Sequence, residues 1–185
     1  MRIEALSLEA RVLYTAFCVF LLIGYVSSAL LARDIGASRE AVGSYYLGAA
    51  LPAKTAPGGG PAIELEPESA PMVELRAAKS DRQMLETFHF HLFTVPVLLL
   101  ILGHLFMLTG LSLRAKIAWI LGASVSTLAH VFAPIAVRYG GAAFAPLMPL
   151  SGALSGVTWT VLTAWPVVEM WRPRAASQVE APKAA

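Results

Sequence analysis

The sequence predicts an all-α integral membrane protein, with four transmembrane helices in an antiparallel bundle and one long extramembrane segment between helices 1 and 2. Composition is the first observation: of 185 residues, 57% are apolar and 14% are charged, and the mean hydropathy is +0.65. Four long stretches without a charged residue are the second, since about 20 apolar residues cross a hydrocarbon layer of roughly 30 Å. The third is a segment rich in proline and glycine that separates the first two stretches.

Each helix is justified by one uncharged stretch. The stretches are residues 12–32, 87–113, 117–137 and 139–168. The predicted division is an N-terminus with helix 1 (1–32), an extracytoplasmic segment (33–86), helix 2 (87–113), a short turn and helix 3 (114–137), a turn and helix 4 (138–171), and a disordered cytoplasmic tail (172–185). Gly140 and Gly141, followed by Pro146, indicate the turn before helix 4.

The first helix is an uncleaved anchor in this interpretation. A cleaved signal peptide is the alternative, but the apolar stretch is long and Glu4 and Glu9 precede it. The short turn between helices 2 and 3 carries Arg114 and Lys116, on the side of both termini, whereas the turn opposite carries Arg138. This bias predicts cytoplasmic termini in a multi-pass protein. High alanine and glycine content is typical of GC-rich bacterial genomes, so the expected location is the bacterial inner membrane.

Residues 33–86 are too long for a simple connection. The pattern predicts a short helix at 38–51 and two short strands at 63–65 and 72–75. The segment either covers the mouth of the bundle and meets another membrane or periplasmic subunit, or is a mobile loop. Ser80 and Gln83 match a capping box, which predicts that helix 2 begins before the membrane.

All four histidines lie in predicted membrane helices: His89, His91 and His104 in helix 2, and His130 in helix 3. An ionisable side chain inside a membrane is costly and indicates a ligand, a relay or an interhelical hydrogen bond. Imidazole is also a common ligand of haem iron. The histidines are therefore the candidate cofactor-binding residues.

Depth along the helices selects a pair. Counted at about 1.5 Å per residue, His91 lies about 7 Å from one helix end and His130 about 12 Å from the matching end of its antiparallel neighbour, so they are nearly level. His89 is the substitute, although it points roughly 160° away from His91. His104 lies about 15 Å below His130 and cannot share one iron with it.

Two other interpretations of these side chains stay open. Gly122, Ser126 and His130 follow one stripe of helix 3, where a neighbouring helix or a flat macrocycle could approach closely. If a helix fills that space, the histidines are interhelical hydrogen-bonding groups of a structural subunit. Alternatively, His89, His91 and Met84 form a soft metal site for copper near the outer surface.

Gly152 and Gly156 form a GxxxG pattern in helix 4. Such a pattern permits close helix approach, either inside the bundle or in a homo-oligomer.

Several function classes are disfavoured. Cys18 is the one cysteine, so the chain has no internal disulfide and no CxxC site. The net charge of +2 comes from scattered residues, so the lipid bilayer and not nucleic acid is the expected partner. No predicted span contains a carboxylate, which disfavours a proton-coupled transporter. No catalytic motif is visible, which favours a redox relay or a non-catalytic subunit over a stand-alone enzyme.

The motif TFHFHLF at residues 87–93, with histidines on helices 2 and 3 of four, resembles the small membrane b-type cytochrome subunits. That resemblance implies haem b as cofactor and electron transfer between a quinone and a soluble partner. The chain departs from the common pattern because it lacks a second set of ligands, so it would bind one haem. The competing hypotheses are the structural or assembly subunit of a membrane complex and the copper-handling protein.

Overall fold

The computed structural model describes residues 2–50 and 75–172. Its helices are α1 (Leu8–Ile35), α2 (Arg39–Leu47), α3 (Asp81–Met107), α4 (Leu113–Gly140) and α5 (Leu147–Met170), with short 3₁₀ turns at Ile3–Ala5 and Ala142–Phe144 and strands β1 (Ala49–Ala50) and β2 (Leu75–Arg76). Four helical stretches, namely α1, α3, α4 and Ala142–Met170, are long and apolar enough to cross a membrane. The predicted fold class is confirmed.

Serine side chains begin four of the helices, because each hydroxyl accepts a hydrogen bond from an otherwise unpaired backbone N–H. The predicted capping box of Ser80 and Gln83 is present at the start of α3. The turn before helix 3 was predicted to begin at residue 114, whereas in the structure α3 ends at Met107 and Ser112 already caps α4 through the Ala115 N–H. The turn is therefore formed by residues 108–112.

The helix that follows α1 is shorter than the one predicted at residues 38–51. Helix α2 ends at Leu47 because Gly48 adopts a φ of +81° and the backbone N of Ala78 lies 2.7 Å from the position of a Cβ there. Strands β1 and β2 pair antiparallel and join the two ends of the segment. The predicted strand at 63–65, most of the one at 72–75 and the tail from residue 173 lie outside the described residues.

The long helices alternate in direction, so each end of the bundle collects the start of some helices and the end of others. The terminal side holds the start of α1 and the end of α5, and the α2 side holds α2 and the start of α3. An apolar cluster lies at each end. The terminal-side cluster consists of Ile3, Cys18, Leu102, Leu105, Phe106, Ala123, Trp159, Leu162 and Met170. The α2-side cluster consists of Val42, Tyr46, Met84, Val137 and Ala145.

Helices α4 and α5 share the most extensive interface, α3 touches both, and α1 packs mainly on α5. The buried side chains of α3 lie near its two ends, and Val95, Leu98 and Leu99 of its middle turns are partly buried against the terminal-side cluster. Between Leu85 and Thr94, the stretch that contains His91, every side chain except Phe88 is exposed.

Candidate functional site

The candidate site lies between the two apolar clusters, where α3 faces α4. Phe88 of α3 meets Phe132 of α4 edge to face, with ring centroids 5.0 Å apart. This contact holds the two helices together beside His91 and His130. The site is thus flanked by packed aromatic rings but is open on the exposed side of α3.

His130 projects from α4 toward α5. Its Nδ1 lies 3.1 Å from the Oγ of Ser151. The Ser151 hydroxyl donates its own hydrogen to a backbone carbonyl of its helix turn, at Leu147 or Met148. Its oxygen therefore accepts from Nδ1–H of His130, and in the neutral ring Nε2 carries the lone pair.

Gly152 makes room for that ring. A Cβ at Gly152 would lie 3.2 Å from Cε1 and 3.5 Å from Nδ1 of His130. The ring edge with Nδ1 and Cε1 therefore packs against α5. Gly152 belongs to the contact within the chain, whereas a Cβ at Gly156 would meet nothing within 4 Å.

His91 shows the same arrangement on α3. Its Nδ1 lies 2.7 Å from the carbonyl oxygen of Thr87, one turn earlier. A carbonyl oxygen only accepts, so Nδ1 carries the hydrogen and Nε2 the lone pair. The ring is exposed, and it interacts electrostatically with His130.

This pattern is typical of histidines that bind a metal. A ligating imidazole usually donates its second N–H to a carbonyl or another oxygen, which sets the tautomer and the ring orientation. Both His91 and His130 satisfy that condition before any metal is considered. These hydrogen bonds are therefore compatible with metal ligation through the Nε2 atom of each ring.

The other predicted cofactor residues lie elsewhere. His89 is exposed, and its ring contacts Phe90 and Phe93 at centroid distances of 6.2 and 4.8 Å. His104 is exposed on the half of α3 that reaches the terminal side. Neither His89 nor His104 is part of the candidate site formed by His91 and His130.

The residues of the predicted copper set have different surroundings. Met84 is 6% exposed and packs in the α2-side cluster, while His89 stacks on phenylalanines at the surface of α3. Within residues 2–50 and 75–172, no group of three His, Cys, Asp or Glu side chains is placed to hold a metal ion.

A line of hydrogen-bonded polar side chains connects the helices between His130 and the terminal side of the bundle. Ser126 meets Thr158 with 3.2 Å between hydroxyl oxygens, and the Trp159 indole donates to Thr127 over 2.6 Å. Tyr25 of α1 pairs with Thr163 of α5 over 3.1 Å. We call these residues, with His130, Ser151 and Ser155, the polar seam. The sequence signal that could have predicted this seam is the helical spacing of Ser and Thr in helices 3 and 4.

Glu169 is the second feature that the sequence pattern did not reveal. It directly follows the uncharged stretch 139–168, and it is 9% exposed in the last turn of α5. Its carboxylate accepts from the Gly110 N–H, and from the Trp165 indole over 3.2 Å. Glu169 fixes the α3–α4 turn to α5.

The surface of α1 contains two shallow apolar grooves. They are lined by Val19, Leu22, Ile23 and Val26, and by Val12, Thr15, Ala16, Val19, Phe20 and Trp171. Neither groove contains a histidine.

Comparison with known proteins identifies a family for most of the chain. A family model described as a transmembrane helical domain matches residues 36–177, which include α2 to α5. Neither the curated proteins nor the solved structures gave a match.

Proposed function

Since the chain belongs to this family of transmembrane helical domains, we propose that it is a membrane-embedded electron-transfer subunit with one b-type haem between α3 and α4. The observation that carries the proposal is that two histidines have the same hydrogen-bonding arrangement. In both His91 and His130, Nδ1 is held by an oxygen acceptor and Nε2 is available to a metal.

The surroundings of the pair support a large, flat ligand. A haem needs apolar walls and space, and the turns of α3 at this level contribute no buried side chain. Phe88 and Phe132 supply aromatic surface next to the pair. If haem binds here, His91 and His130 would hold it, and Phe88 and Phe132 would contribute apolar surface.

Each residue has a defined part in this proposal. His91 and His130 would be the axial ligands, and bound haem would supply one-electron chemistry. The Thr87 carbonyl and the Ser151 hydroxyl hold the rings through Nδ1 and increase the basicity of Nε2. Gly152 leaves the space in which the His130 ring is positioned.

One haem is proposed, and not two. His130 is the one histidine of α4, and His104 has no histidine opposite it on the helices that the structure describes. A single site makes the chain a relay that passes electrons between partners. We further propose that it is part of a membrane complex in the bacterial inner membrane, with both termini in the cytoplasm.

A non-enzymatic structural or assembly subunit is the second candidate, and α1 favours it. Only Cys18 of that helix is buried. A helix so little used within the bundle leaves a long apolar face for lipid or for a partner subunit. In this case the histidines act only through the hydrogen bonds already described.

Absorption spectra distinguish the two candidates. The full chain would be produced with haem supplied, purified in detergent, and measured oxidised and after reduction with dithionite. We expect a sharp reduced α band that is absent in His91→Ala and in His130→Ala and retained in the matched control His104→Ala. A featureless spectrum from a well-folded sample would contradict the haem proposal and favour the structural subunit. Copper in that sample, lost in His89→Ala, would instead support a copper-handling protein.

A further inference from the structure

Ser155 is the starting point, because its hydroxyl is buried and has no hydrogen-bond partner. The residue is 9% exposed. Among the described residues, its Oγ is the one buried side-chain nitrogen or oxygen without a partner. Leaving a hydroxyl unpaired away from water is unfavourable, because its lost hydration is not replaced, so such an atom requires an explanation.

Other hydroxyls in the same helix behave differently. Thr163 donates to the Trp159 carbonyl over 2.7 Å, and Thr158 donates to the Leu154 carbonyl over 2.9 Å. This bond to the preceding turn is the usual solution for Ser and Thr within a helix. Ser155 does not make it.

The position of Ser155 explains where a partner would lie. On α5 it follows Ser151 by one turn and precedes Thr158 by nearly one turn, so the three residues share a face. Ser151 and Thr158 each form a bond across the interface, to His130 and to Ser126. Ser155 therefore lies inside the α4–α5 interface, between two cross-helix hydrogen bonds.

A second hydroxyl in this interface is only half satisfied. Thr127 is 8% exposed and lies on the stretch of α4 between Ser126 and His130. Its oxygen accepts from the Trp159 indole, but the hydrogen bonds of the described residues provide no acceptor for its own hydrogen. Two incompletely bonded hydroxyls thus occur in the α4–α5 interface, since the partner of Thr127 is Trp159, one turn along α5 from Ser155.

We propose that a water molecule is bound inside the α4–α5 interface, next to Ser155 and Thr127. Water can donate to one hydroxyl and accept from the other, and buried waters in proteins usually make about three such bonds. It would join the His130–Ser151 and Ser126–Thr158 pairs into one continuous polar seam. The inference does not depend on haem, because none of its evidence comes from Nε2 of either histidine.

Magnetisation transfer from water in NMR tests the proposal on the full chain in lipid nanodiscs. In the wild type we expect a long-lived water signal at Ser155 and at Thr127. In Ser155→Ala the signal at Thr127 should be lost. Ser124→Ala is the matched control, because Ser124 is half-buried on α4 and bonds to the Ile120 carbonyl over 2.7 Å. This control should leave the Thr127 signal unchanged.

Two results would overturn the proposal. The first is the absence of a water signal at both residues in wild-type protein whose exposed turns do show one. The second is a Thr127 signal that persists in Ser155→Ala. Stability provides a separate readout, since losing a bound water lowers the unfolding midpoint of Ser155→Ala. A raised midpoint would mean that the wild-type hydroxyl is dry and unpaired.

Discussion

The imidazole of His130 occupies the space beside Gly152, where an added Cβ would lie 3.2 Å from its Cε1 atom. A contact of this length forces one neighbour to move, and the moving group is a candidate haem ligand. The relationship connects a small residue of α5 directly to the chemistry proposed for α4.

Gly152→Ala is therefore expected to destabilise the bundle and displace the His130 ring, despite the higher helix propensity of alanine. Gly156→Ala is the matched control: with nothing within 4 Å of its added Cβ, it should be neutral or stabilising by up to about 1 kcal/mol. Unfolding midpoints in detergent measure both effects. Equal midpoints for the two variants would show that the ring is not constrained by Gly152.

Glu169→Ala should lower the free energy of unfolding by about 1–3 kcal/mol, since it leaves the Gly110 N–H and the Trp165 indole without their acceptor. Glu169→Gln keeps a carbonyl oxygen and should lose less. Glu86→Ala is the control, because Glu86 forms an exposed pair with Arg82 that contributes at most about 1 kcal/mol. Equal losses in Glu169→Ala and Glu86→Ala would contradict the buried role of Glu169.

Arg138 is expected to hold the segment before α3 in place. Its Nε donates to the Lys79 carbonyl over 2.8 Å, and the Lys79 N–H donates to the Tyr46 carbonyl over 3.1 Å. Arg138→Gln should increase amide exchange at Lys79 by about tenfold to a hundredfold, since a hydrogen bond from a charged group contributes about 1.5–3 kcal/mol. Hydrogen exchange monitored by mass spectrometry measures this. Arg82→Gln, at a largely exposed side chain, should leave the rate unchanged.

Tyr46 predicts an alkaline pH dependence for the α2 side. Burial, and secondarily the charge of Tyr45, raise the pKa of Tyr46 from 10.0 to about 12. Below pH 10 the phenol is neutral in both states and its contribution is intact. Between pH 10 and about 12 the unfolded chain loses this proton first, so stability falls by about 3 kcal/mol from this group.

Tyr46→Phe removes that titration. We expect the difference in unfolding free energy between wild type and this variant to change across pH 10–12 and to be constant from pH 7 to 9. A parallel pH profile for the two proteins would show that Tyr46 does not titrate differently on folding.

Local sequence was sufficient for the membrane helices and for the start of α3. Uncharged length determines which stretches cross a bilayer, and the Ser80 to Gln83 spacing places the capping box within one turn. The α3–α4 turn was misplaced because uncharged residues continue past Met107. There the chain ends α3 and then caps α4 with Ser112.

Only part of the candidate site could be predicted from the sequence. Helix rise brought His91 and His130 to similar depths, and the structure places them close enough to interact electrostatically. Counting along helices does not give side-chain partners, so the roles of Thr87 and Ser151 at the two Nδ1 atoms were not foreseen. Met84 and His89 were grouped by nearness in sequence, although they lie in different surroundings.

The sequence by itself determined that this protein is a four-helix membrane bundle with histidines in two of its helices, because hydropathy and helix rise are properties of single segments. Only the tertiary structure decided that Gly152 makes space for His130, that Glu169 is buried, and that Ser155 lies unpaired between two cross-helix hydrogen bonds. Those features depend on how the helices are rotated about their axes and packed against one another. That arrangement is set by the summed packing of all contacts between helices and not by any one local pattern.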